Sequence, residues 1–127
     1  MKAAIIGLCV ALAFTIGVAL AADAVVERVL PEADAMRIDV LELVEMDRHD
    51  EALDKLTQLA EFWMRNEQWL EVFIYHTAVH EIAQSIVESH LTLKLGENDD
   101  FQRAMASLGE AIEHMLKEEH LSLSNVL

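Results

Sequence analysis

Residues 3–22 read AAIIGLCVALAFTIGVALAA and carry no charged side chain. About 20 apolar residues in a helix span roughly 30 Å, the depth of a bilayer core, so this stretch stands apart from any small water-soluble fold. Met1-Lys2 gives it a minimal positive start, and Ala19-Leu20-Ala21 ends it with the A-x-A form of a signal-peptidase site. Two outcomes are open. An uncleaved signal anchor suits a run longer than the usual apolar region of about 7–15 residues, and a cleaved signal peptide suits the A-x-A. The length favours the anchor. The chain therefore divides into residues 1–22, signal anchor or signal peptide, and residues 23–127, the folded part. A single-pass membrane protein with its domain outside the cytoplasm is expected, because the start of the chain resembles an export signal. The alternative is an exported protein cleaved near Ala21. Lys2 on one side and Arg28 and Arg37 on the other leave the positive-inside rule undecided.

The net charge is −14, from 9 basic against 23 acidic side chains, and Lys2 is one of the nine. Such a surface repels phosphate backbones and anionic headgroups, so nucleic acid is excluded as a partner and peripheral lipid binding is disfavoured. The one cysteine, Cys9, lies inside the apolar run and leaves the domain without thiol chemistry.

Beyond Ala22 the sequence is helical throughout. Pro31 with Glu32 and Asp34 reads as a first helical turn, its acidic side chains near the positive end of the dipole. Met36, Val40, Leu43 and Val44 follow at helical spacing. Asp47 is the expected N-cap of a second helix with the stripe Leu53, Leu56, Leu59, Ala60 and Trp63. Asn66 is the expected break before a long third helix, Glu67 to Leu95, closed by Gly96. Asp99 and Gln102 have capping-box spacing ahead of a fourth helix striped by Phe101, Met105, Leu108, Ile112 and Met115. The fold class that follows is all-α: an N-terminal apolar helix, then a small antiparallel bundle of about four helices. Leu121, Leu123, Val126 and Leu127 are too apolar for a free end and are expected to pack back on the bundle.

His76, His80 and His90 fall on the third helix. With Trp69 as the origin and 100° per residue, all three enter the arc of Val72, Val79, Ile82 and Ile86, which predicts that His76 is at least partly buried. His76 and His80 stand at i, i+4, a spacing that lets two imidazoles reach one metal; the fourth helix offers His114, Glu113, His120 or Glu119 as further ligands, and His114 is the candidate carried forward. The zincin pattern is absent, because His80-Glu81 continues Ile82-Ala83-Gln84, and Glu-x-x-His of the di-iron bundles occurs nowhere. Core histidines satisfied by a carboxylate or carbonyl are the plainer reading, so no metal and no cofactor are assigned. The serines lack a glycine-rich elbow and no phosphate-cradling loop exists, so the chain is not expected to be an enzyme. Trp63 and Trp69 flank the expected break. They are the candidate interaction residues, with core packing the alternative.

The order of these features is familiar. An apolar N-terminus is followed by Trp at a helix end, Phe73-Ile74-x-His76, a long helix, an acidic turn, Ile112-Glu113-His114 and Leu121-Ser122-Leu123-Ser124-Asn125-Val126-Leu127. The chain resembles a family of bacterial membrane-anchored helical proteins catalogued as a domain of unknown function. That resemblance implies membrane attachment and a helical fold, and implies no activity. The expected function is a membrane-tethered extracytoplasmic module acting by contact with an integral membrane or extracytoplasmic protein. The alternative is a metal- or proton-responsive module using His76, His80 and His114. An exposed apolar patch would favour the first, and converging imidazoles the second.

Overall fold

The computed structural model describes residues 2–74 and 76–126, apart from the side chains of Ala22, Asp23, Phe73 and residues 119–126. The elements are α1 (Lys2–Glu45), α2 (His49–Phe73), α3 (His76–Leu95) and α4 (Asn98–Val126), with no strand among the described residues. Each helix packs on its neighbour in the chain, and α4 closes the ring on α1. The expected all-α bundle is therefore present, with one difference. The apolar segment and the first bundle helix are a single helix 44 residues long.

Pro31 lies inside α1 instead of starting it. Proline in a helix interior removes one hydrogen bond and costs about 3 kcal/mol where nothing compensates. Here Pro31 is exposed, and so is Glu27, four residues earlier, whose carbonyl loses its partner on the solvent side. On the opposite face Val29, Leu30 and Ala33 are fully buried and hold the turn in place.

The core is built from four seams. Val26, Val29, Leu30, Ala33, Met36 and Val40 come from α1, and Ala52, Leu56, Leu59, Trp63 and Leu70 from α2. Val79, Ile82, Ile86 and Leu93 come from α3, and Phe101, Met105, Leu108, Ile112 and Met115 from α4. Steps of three, four or seven keep the stripes of α2, α3 and α4 on one side of each helix, and in α1 the adjacent pair Val29 and Leu30 widens the stripe. Ser89 and Thr92 are buried polar residues of α3, and their hydroxyls donate to the Ser85 carbonyl at 2.7 Å and the Glu88 carbonyl at 2.8 Å. Leu121, Leu123, Val126 and Leu127, expected to pack back on the bundle, lie outside the described residues or side chains.

Three boundaries differ from expectation. Asn66 is no break: it sits within α2, where its amide donates to the Phe62 carbonyl at 2.8 Å. The chain turns at Ile74, which is extended (φ −127°, ψ 153°). Asp99 lies in the first turn of α4, and Glu97 takes the N-cap place, its carbonyl accepting from the Phe101 amide at 2.9 Å.

Asp47 does not cap α2. It closes α1, in the left-handed region at φ 61°. Its amide donates to the Val44 carbonyl at 3.0 Å and that of Arg48 to the Leu43 carbonyl at 2.9 Å, the paired bonds of a Schellman motif. Gly96 closes α3 in the same way, at φ 75° with Gly96 to Leu93 and Glu97 to Thr92 bonds. Glycine takes this conformation freely and aspartate does not. Asp47→Gly is therefore expected to stabilise the protein by about 1 kcal/mol, read as a higher midpoint in chemical denaturation. A midpoint lowered by the substitution would show that the Asp47 carboxylate contributes more than the backbone strain costs.

Candidate functional site

The short connection at Ile74 brings the last turns of α2 against the first turns of α3. Glu67 and Glu71 stand one turn apart on α2, and His76 and His80 one turn apart on α3. All four side chains meet. The His76 Nδ1 and Glu71 Oε1 atoms are 2.9 Å apart. The His80 ring lies between the two carboxylates, its Nε2 3.7 Å from Glu71 Oε1 and its Nδ1 4.0 Å from Glu67 Oε1. The two imidazoles meet edge to face, with centroids 4.1 Å apart and planes at 70°.

The histidine side chains are exposed, 69% for His76 and 56% for His80, while Glu67 and Glu71 are half-buried at 25% and 31%. The expectation that His76 is partly buried is thus overturned. The helical wheel runs one continuous helix through residues 69–90, and the turn at Ile74 resets the phase. Val72, placed in the same apolar arc, is likewise exposed. His90 is half-buried, with Nε2 3.3 Å from the Thr57 hydroxyl.

His76 and His80 do converge, and His114 does not join them. Its Nε2 pairs with Glu118 Oε1 at 3.0 Å on its own helix. The third donor is Glu71, one of whose oxygens lies within 4.8 Å of a nitrogen of each ring. Sequence reasoning missed Glu67 and Glu71 because it placed the break at Asn66 and so put them on the same helix as the histidines. The signal is present in the spacing: an i, i+4 carboxylate pair, a short connection, then an i, i+4 imidazole pair.

The two tryptophans separate. Trp63 is 1% exposed and its Nε1 donates to the Val79 carbonyl at 3.2 Å, so it is a core residue tying α2 to α3, not a recognition surface. Trp69 is 62% exposed near the end of α2, with Val72 beside it at 71%. The apolar half of α1 leaves the bundle at this same end. Residues 3–20 are exposed throughout, and Val26 is the first buried residue among the described side chains. That half is long and apolar enough to cross a membrane or to serve as a signal sequence.

No curated protein and no solved structure is similar enough to match. Residues 32–126, from the turn after Pro31 to the last residue of α4, match a family described as a domain of unknown function, and this chain belongs to that family, DUF4363.

Proposed function

We propose that the chain is a membrane-tethered module that acts by protein contact and not by catalysis, with an integral membrane protein as its partner. The observation that carries this reading is the double use of α1. Its first half is bare and apolar, and its second half supplies six residues of the bundle core from Val26 to Val40. With no linker between the two, a span retained in a bilayer holds the bundle directly at the surface.

The register of α2 against α1 supports the location of the contact. Lys55 Nζ lies 3.7 Å from Asp39 Oδ2 across the pair. Counting along the antiparallel helices from there sets Trp69 level with Val25 and Val72 level with Ala22, where the apolar half begins. Trp is favoured at membrane–water boundaries because the body of its ring is apolar and the N–H at its edge is polar. The acidic surface disfavours a bed of anionic headgroups. A partner that covers Trp69 and Val72 beside the emerging helix must itself be in the membrane or rest on it. The domain facing away from the cytoplasm is part of the same proposal.

A photo-cross-linking residue placed at position 69 tests the reading, with position 87 as control, since Trp69 and Val87 are equally exposed at 62% and 63%. In intact membranes a discrete protein adduct is expected from position 69 and none from position 87. Adducts to lipid alone, or equal yields from the two positions, would overturn the proposal.

A further inference from the structure

The carboxylates at the end of α2 are placed against ordinary electrostatics. Glu67 and Glu71 are like charges at i, i+4, an arrangement that destabilises a helix. They also stand near the C-terminal end of α2, where the dipole is negative and basic side chains are usual, and its last turn has none. Ion pairs to rings this exposed are weak, too weak to explain four side chains gathered in this way. A cation between the two helices would remove the repulsion and satisfy the dipole together.

We propose that Glu71, His76 and His80 bind one divalent transition-metal ion, with Glu67 as a positioning residue. Donors at about 2.0–2.2 Å around a tetrahedral ion lie about 3.3 Å from one another. The Glu71 oxygen is 2.9 Å from His76 Nδ1 and 3.7 Å from His80 Nε2, distances that bracket that value. The donor atoms all lie within 4.8 Å, so closing on an ion requires only small rotations of exposed rings. With Nε2 of His80 turned to the ion, its Nδ1 faces Glu67 at 4.0 Å, beyond hydrogen-bond distance. A small side-chain movement of Glu67 toward the ring would complete the carboxylate–imidazole–metal arrangement in which a carboxylate fixes the ring's orientation and raises its basicity.

The donor set selects the class of ion. Two imidazole nitrogens and one carboxylate suit zinc, nickel, copper(II) or iron(II), whereas calcium and magnesium prefer oxygen donors alone. The site joins α2 to α3 across Ile74, so the bound ion closes the helical hairpin as a staple at the end of the bundle where the apolar half of α1 emerges.

The test is calorimetric titration of zinc into the untagged full chain in detergent micelles. Cobalt(II) absorption serves as a second readout of the ligand field. One ion per chain is expected, with a micromolar or tighter dissociation constant and no competition from calcium. His80→Ala and Glu71→Gln should each weaken zinc at least about 100-fold and abolish the cobalt spectrum, as loss of one of three ligands requires. Glu67→Gln should weaken zinc about tenfold and shift the spectrum without removing it. His114→Ala should change neither. The substituted side chains are not core residues, so unchanged far-ultraviolet circular dichroism is expected for every variant. The proposal is overturned by an absence of saturable zinc uptake, by affinity that survives both His80→Ala and Glu71→Gln, or by an equal loss in His114→Ala.

Discussion

Trp63→Ala is expected to unfold most of the bundle at temperatures where the parent chain is intact. Trp63 is the largest of the fully buried side chains, 1% exposed, and its indole reaches across to the Val79 carbonyl. Truncating a buried Trp to Ala costs about 3–5 kcal/mol, because transfer free energy is lost and a cavity remains that a packed interior fills only in part. A domain of this size has about 5–15 kcal/mol in total, and each kcal/mol moves the melting point by about 4–8 °C. A fall of roughly 20 °C is therefore expected in a circular dichroism melt of the full chain in detergent, where the apolar half of α1 stays helical as a constant baseline. Trp63→Phe keeps most of the apolar contact and gives up the N–H donor, for a smaller loss of about 1 kcal/mol from the hydrogen bond. A loss below about 1 kcal/mol for Trp63→Ala would remove Trp63 from the core and return it to the surface role that its position at a helix corner first suggested.

The second large effect is on where the protein is found. With residues 3–22 retained, the chain should stay in the pellet after an alkaline carbonate wash and should begin at Met1 or Lys2. A chain lacking residues 3–22 should leave the membrane almost completely, since those residues supply about 30 Å of uninterrupted apolar helix. A mature N-terminus at Ala22 in the soluble exported fraction would show that Ala19-Leu20-Ala21 is cut. Cleavage there has a structural cost. Among the described side chains the first buried core residue is Val26, so the new end would lie about one turn from it, where helices fray for lack of intrahelical partners.

The seams are the part of the fold most legible in the sequence. Phe101, Met105, Leu108, Ile112 and Met115 show their spacing directly, and all five are core. Gly96 is legible as a helix end because few other residues take φ 75° without strain. The turn at Ile74 is not, since Phe73-Ile74-Tyr75 contains no residue that punctuates a helix and Asn66 nearby does. That one boundary decides the candidate site. Moving it from Asn66 to Ile74 transfers Glu67 and Glu71 to α2, turns His76 and His80 out to solvent and opposes the two pairs. Pro31 misleads for a similar reason. Its missing N–H marks a helix start in isolation, and only the buried neighbours Leu30 and Ala33 show that tertiary packing carries the helix through.

The shared helix also makes the bundle a lever. From Val25 to Glu45, α1 rises about 30 Å at roughly 1.5 Å per residue. Membrane spans tilt by about 20° on average, and the angle follows bilayer thickness and neighbouring helices. With α1 seated in a bilayer, a tilt of that size swings the far end of the bundle, at the Asp47 turn, sideways by about 10 Å. Bilayer thickness then becomes a displacement of an acidic surface, converted without any change inside the bundle itself.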